Sequence, residues 1–275
     1  MKRSQLAINS VSLKQAPLEE MLAACRAAGF PAVELWLKHV RDWLALGRTP
    51  ADVGRLLDSL GLECIGGFET AVLCFAPAAE RRKNHARVVE NARLLGSLGA
   101  RTMVVGTDGP EDRSRFKDLL DPIARTFGAV ARRIRRTGVT LCLEFNWSPI
   151  VKSLRTAAEV ARRSGEPNVG VLFDPAHYHC TPTKLDQLDS RNVPFIRHVH
   201  VDDMADKPGE LSNCNTDRAL PGKGCLDLRE IFGRLERHGY RGRYAIEMFS
   251  QGLWSMSAAK AARIMYRSLL PYCGG

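Results

Sequence analysis

No stretch of this 275-residue chain is long and apolar enough to span a bilayer, which takes about 20 consecutive apolar residues. Nor does a basic, then apolar, then small-residue leader pattern precede the first predicted strand. The eight cysteines include no CxxC pair, and several lie within apolar runs, where a free thiol behaves as a small hydrophobe. These absences predict a soluble protein of a reducing, cytoplasmic compartment. Low-complexity tracts, internal repeats and Pro/Gly/Ser-rich linkers are missing too, so the chain reads as one domain over residues 1–275.

What is present is ordinary for a globular protein: 45% hydrophobic and 25% charged residues, a balance that argues against disorder. The formal charge of +10 would suit acidic substrates or nucleic acid. The arginine clusters, however, Arg132-Arg133-Ile134-Arg135-Arg136 and Arg81-Arg82-Lys83, fall on predicted helices with apolar partners at helical spacing. They read as solvated helix faces, and a charge excess speaks to solubility as much as to function.

Short apolar runs alternate with longer helical-period segments eight times. Strands are predicted at 5–10, 32–36, 62–68, 101–105, 139–145, 169–174, 195–201 and 242–249. Helices are predicted at 18–28, 50–60, 77–98, 116–136, 153–164, 227–238 and 256–270, with a short weak one at 183–189. Several helices carry the expected punctuation, such as Pro50 just inside one start and Gly29 and Gly61 just past two ends. Strands that are apolar on both faces, alternating with helices, predict a single-domain (β/α)8 TIM barrel over an open doubly wound sheet. The stretch 202–225 breaks the rhythm with mostly polar residues, Pro208-Gly209 and Pro221-Gly222-Lys223-Gly224, and no periodicity. Long loops of this kind in a compact fold are usually functional.

The stretch 139–147 organises the rest. Val139, Leu141, Cys142, Leu143 and Phe145 enclose one carboxylate, Glu144, whose desolvation is costly unless something pairs with it. Three later strands also end in metal-capable residues: Asp174, His200 and Glu247. In a parallel barrel the C-terminal strand ends converge, which would bring Glu144, Asp174, His200 and Glu247 to one cation. Three carboxylates and one imidazole suit Mn²⁺, Mg²⁺, Co²⁺ or Zn²⁺.

The chain resembles the xylose isomerase-like TIM-barrel superfamily of sugar phosphate isomerases and epimerases over nearly its whole length. The motifs that carry the resemblance are Leu143-Glu144-Phe145-Asn146, Asp174-Pro175-Ala176-His177, His198-Val199-His200-Val201-Asp202-Asp203, Arg218-Ala219-Leu220-Pro221-Gly222-Lys223-Gly224 and Ile246-Glu247. The resemblance implies one divalent ion, manganese as first choice, on Glu144, Asp174, His200 and Glu247. Because His198 and His200 share a face, His200 is chosen from the family pattern and not from spacing. It further implies Glu144 and Glu247 as base and acid, and His177 as a proton carrier or substrate-hydroxyl contact. Arg218 and Asn146 become candidate substrate contacts; the aromatics Phe68, Trp147 and Trp36 at predicted strand ends are candidate apolar walls against a sugar face, and Glu34 could face the barrel mouth or pair with a buried arginine. The expected reaction is isomerisation or epimerisation of a keto-sugar or sugar phosphate through a metal-stabilised enediolate. Homo-oligomerisation is left open.

A lyase of the same architecture is the alternative, resembling inosose or dehydroshikimate dehydratases or the subunit that cleaves 3-keto-glycosides. Asn146 stands where the dehydroshikimate branch carries a second histidine, which counts against that branch. An apurinic endonuclease shares the fold, but it needs a histidine-rich three-metal site that strands two to four do not supply, so nucleic acid is not an expected partner. A non-catalytic binding barrel is the remaining reading; four intact ligands argue against it.

Overall fold

The computed structural model describes residues 1–274. Eight parallel strands close into a barrel: β1 (Leu6–Asn9), β2 (Ala32–Trp36), β3 (Glu63–Phe68), β4 (Thr102–Val105), β5 (Thr140–Glu144), β6 (Val169–Phe173), β7 (Ile196–Val201) and β10 (Tyr244–Ile246). Each pairs with its neighbours in chain order, and β10 closes the ring against β1 with Leu6 beside Tyr244 and Ile8 beside Ile246. Around them lie α1 (Leu18–Ala28), α2 (Leu37–Leu44), α3 (Pro50–Leu60), α4 (Ala78–Ser97), α5 (Leu120–Ile134), α6 (Leu154–Ser164), α7 (Pro175–His179), α8 (Leu228–Arg237), α9 (Gln251–Trp254) and α10 (Ala258–Leu269). No helix among the described residues is long and apolar enough to cross a membrane.

Local chemistry accounts for these boundaries. Pro50 follows Thr49, whose hydroxyl accepts from Asp52 N while Asp52 Oδ2 accepts from Thr49 N at 2.7 Å, a reciprocal cap that starts α3. The α1 helix stops at Gly29, whose φ of 108° an L side chain resists.

The two faces of each strand carry different chemistry. Outward residues such as Leu141, Leu143, Val171, Phe173, Tyr244 and Ile246 pack under the helices in one large cluster. Inward positions form a small floor of Ala7, Ala32, Ile65 and Ala245, with a second patch of Val104, Cys142 and Leu172. Because side chains alternate along a strand, two residues further on from these floor positions come Asn9, Glu34, Glu144, Asp174 and Glu247. The barrel interior is thus apolar below and ionisable at its C-terminal mouth.

Three expectations are corrected. The predicted helix at 183–189 is only a 3-10 turn at Leu185–Gln187, and the crossover after β6 uses instead the five-residue α7 that Asp174 caps by accepting from His177 N at 3.0 Å. Helix α2 was not expected, because Leu37–Leu44 directly continues β2 with no turn residue between. The stretch 202–225 is built and not structureless: β8 (Asp203–Met204) and β9 (Arg218–Ala219) form an antiparallel pair. Asp203 then organises the Pro-Gly-Lys-Gly turn, accepting from Gly222 N at 3.1 Å, Gly224 N at 3.0 Å and Leu226 N at 3.0 Å. A Cβ on Gly224 would lie 2.4 Å from Asp203 Oδ1, so the turn requires glycine there. The arginines at 132, 133, 135 and 136 are exposed as expected, two of them paired with Glu166.

Candidate metal centre

Glu144, Asp174, His200 and Glu247 each present one donor atom, and those four atoms lie within 4.8 Å of one another. All four residues are buried. His200 Nδ1 faces the group, 3.4 Å from both Asp174 Oδ2 and Glu247 Oε2. Three carboxylate oxygens and one imidazole nitrogen, with no thiolate, are a donor set for a hard or borderline divalent ion. The residues therefore fit a divalent cation.

A second layer orients the donors. Nε2 of His200 lies 2.8 Å from Glu34 Oε2, an arrangement that leaves Nδ1 bare for an ion when Nε2 carries the proton. Asn9 Nδ2 donates to Glu34 Oε2 and to Glu247 Oε1, both at 2.9 Å, tying the two carboxylates together. His198 lies below His200, with Nδ1 2.8 Å from Thr102 Oγ1 and Nε2 3.1 Å from Glu34 Oε2. Glu34 with its two histidines also clusters metal-capable atoms. Only the His200 contact, at 2.8 Å, is a hydrogen bond; His198 Nε2 stands 3.1 Å from the same oxygen without making one, and we read the trio as support for His200.

Electrostatics follow from five buried carboxylates around few cations. Burial pushes Asp174 up, but the Arg218 guanidinium and the imidazoles of His177 and His200 hold it well below the usual carboxylate range. Burial, reinforced by Asp174 and Glu247, raises Asp202 well above that range despite its pairing with Arg218. Burial disfavours charged His177, yet Asp174 and Glu144 outweigh it and raise its pKa well above the ordinary histidine value. A cation among the same carboxylates offsets that pull.

Arg218 is enclosed. Its Nε donates to Cys214 O at 2.8 Å, Nη2 meets Asp174 Oδ2 at 3.0 Å and Glu247 Oε2 at 3.2 Å, and Nη1 meets Asp202 and Glu247 O. Above the donors a cavity of about 320 Å³ opens, with Phe68, Val104, Trp147 and Phe249 as apolar walls.

A family model described as xylose isomerase-like TIM barrel matches residues 22–269. The chain belongs to that family. Among curated relatives, an inosose isomerase of Halalkalibacterium halodurans is 30% identical over 129 residues, 46% of this chain and 45% of that protein. A 3-dehydroshikimate dehydratase of Pseudomonas aeruginosa is 29% identical over 282 residues, 97% of this chain and 41% of that protein. The matches thus span less than half the length of these two relatives. In structure, the IOLI protein crystallised with a bound zinc atom superposes with a TM-score of 0.86 at 18% identity, covering 98% of this chain and 97% of that one.

Within this xylose isomerase-like barrel, the expected residues fall as follows. Glu144, Asp174, His200 and Glu247 come together, and His177 joins them with Nε2 2.9 Å from Glu144 Oε1. Phe68, Asn146, Trp147 and Arg218 all line the cavity. Trp36 is not among its lining; it stacks on Phe68 from behind, ring centroids 6.5 Å apart. Glu34 meets histidines and Asn9 where a buried arginine was one expectation. Asn9 and Asp202 were missed, although Asp202 stands in period-two register with His198 and His200; Asn9 ends β1, on which no residue was weighed. Cys214 and Lys152 carried no signal, since loop packing alone brings them to Asn146.

Proposed function

We propose that this chain is a divalent-metal-dependent isomerase or epimerase of a small keto-sugar or keto-polyol, with Glu144, Asp174, His200 and Glu247 as ligands and manganese as the resident ion. The ion's role when bound is Lewis acidity toward a carbonyl and its neighbouring hydroxyl, which acidifies the C–H bond beside them. The observation that carries the reading is the asymmetry of the two glutamates. Glu247 has Oε1 occupied by Asn9 and Oε2 beside Arg218 and His200. Glu144 has Oε1 in contact with His177 Nε2, while no hydrogen bond among the described residues reaches Oε2. Glu144 is accordingly the base that takes the carbon-bound proton, held in place by His177. Glu247 acts at the other end of the transfer, with Asn9 and Arg218 setting its orientation. Phe68, Trp147 and Phe249 offer apolar faces to a sugar ring and exclude water. The inosose isomerase relative supports the substrate class, and the zinc of the IOLI protein supports a divalent ion in this architecture.

A lyase at the same site is the second reading, favoured by the dehydratase relative that matches 97% of the chain. It shares the proton abstraction and differs in the fate of what is left. Incubating metal-loaded protein with ketohexoses and inososes in deuterated water separates the two. Uptake of deuterium at unchanged elemental composition is the expected result, and loss of water assigns the lyase. Absence of exchange on every such ketone, with metal content confirmed, overturns both.

A further inference from the structure

We propose that Lys152 is a positioning residue that, acting through the side-chain amide of Asn146, holds His177 in the tautomer carrying its proton on Nε2. Lys152 stands immediately before α6, where Ser153 accepts from Thr156 N and fixes the start of the helix, so its stem has a defined origin. Its Nζ donates to Asn146 Oδ1 at 3.1 Å and to Asn146 O at 3.3 Å. An ammonium can only donate, so the amide must turn its oxygen toward Lys152 and its NH2 the other way.

On that other side Asn146 Nδ2 lies 3.2 Å from His177 Nδ1 and 3.4 Å from Cys214 Sγ. With the NH2 pointing at it, Nδ1 of the neutral imidazole, the form that a cation among the carboxylates would favour, must be the acceptor, and the ring proton is left on Nε2. Nε2 then donates to Glu144 Oε1 at 2.9 Å. Three hydrogen bonds of fixed polarity thus run from a loop lysine to the Glu144 carboxylate.

The backbone agrees with a built device. Asn146 is the one non-glycine residue with positive φ among the described residues, at 79°. It is pinned there by its own N–H to Val151 O at 2.8 Å and by Lys152 on its carbonyl. Residues held in sparsely populated backbone regions persist where their surroundings demand it. Here the conformation aims the amide between Lys152 and His177.

The consequence for turnover rests on the isomerase reading above; the tautomer itself does not. The test uses the full chain loaded with diamagnetic Mg²⁺ and labelled with ¹⁵N-histidine, the His177 signals being assigned by their loss in H177N. Long-range ¹H–¹⁵N spectra are expected to show bare Nδ1 and protonated Nε2 in the native chain. K152R, which keeps a donor-only group, retains that pattern. K152M and K152Q release the amide and yield the Nδ1–H form or a mixture, with kcat roughly tenfold lower and KM within about twofold, as for outer-layer partners of a site. Protonated Nδ1 in the native chain, or an unchanged tautomer in both K152M and K152Q, overturns the proposal. A tautomer that shifts while no ketone is turned over by the native chain counts against the proposed reaction alone.

Discussion

At the scale of single residues, the site depends on how each buried charge is answered. His200 can ligate through Nδ1 because Glu34 answers Nε2, and Glu34 is itself held by Asn9. Glu34→Gln keeps the shape but removes the charge that favours a proton on Nε2. We expect divalent-cation affinity to fall about 10- to 100-fold, read by calorimetric titration of the metal-free protein with Mn²⁺. Affinity unchanged by that substitution would show that Glu34 is mere packing. Arg218 illustrates the converse: a cation buried without partners would be ruinous, and its nitrogens all face protein oxygens.

At the scale of elements, the barrel mouth is stiffened where loops meet helices. Glu69 follows β3 and accepts from Arg41 of α2 at 2.6 Å, from Arg87 of α4 at 3.0 Å and from Asn91 of α4 at 2.9 Å. Burial pushes its carboxyl up, but these donors outweigh burial and lower its pKa below the ordinary 4.5. A carboxylate whose pKa is depressed on folding adds stability above its unfolded pKa and loses it as pH falls through the folded value. Glu69→Gln should therefore unfold more easily at pH 7 by roughly 1 to 2 kcal/mol, partial solvent screening keeping the loss at the lower end for charged hydrogen bonds. The gap between native and variant denaturation midpoints should close as pH drops below about 4. A gap that does not narrow as pH is lowered from 7 through the acid range would contradict the assignment. On the neighbouring strand, Gly106 lets the 145–151 loop settle against the end of β4, since a Cβ there would lie 2.1 Å from Trp147 O. That contact sets the Trp147 wall of the cavity.

At the scale of the whole molecule, a protein of net charge +10 gathers Glu34, Glu144, Asp174, Asp202 and Glu247 at the mouth of its barrel. Mutual repulsion among them opposes folding, and a divalent ion that binds only the folded state relieves it. Mn²⁺ at 100 times its dissociation constant should add about 2.7 kcal/mol and raise the melting temperature by roughly 5 to 10 °C, with a chelator reversing the shift. Scanning calorimetry with and without the ion checks this; an unmoved transition would deny a metal bound by the folded state.

The barrel was legible in the chain because a strand buried on both faces and a helix with one apolar stripe leave different periods, and these alternate along nearly the whole length. Legibility failed where an element lacks a marked start or enough length. Residues 37–44 carry Leu37, Val40, Trp43 and Leu44 at helical spacing but continue β2 without a turn residue, and the crossover after β6 has too few apolar positions for an outer helix. Glu144, Asp174, His200 and Glu247 could be singled out because each ends an apolar run, where a lone ionisable group is conspicuous. The choice of His200 over His198 needed the family pattern, since alternation puts both on one face; their heights in the barrel, one at the donors and one on Thr102, separate them. Linear order by itself thus determined the fold class and the chemical kind of the mouth, because burial periodicity and donor type are local properties. Which oxygen of Glu144 stays open, what encloses Arg218 and how Lys152 reaches His177 were decided only by tertiary structure, because hydrogen-bond polarity depends on groups that folding brings together.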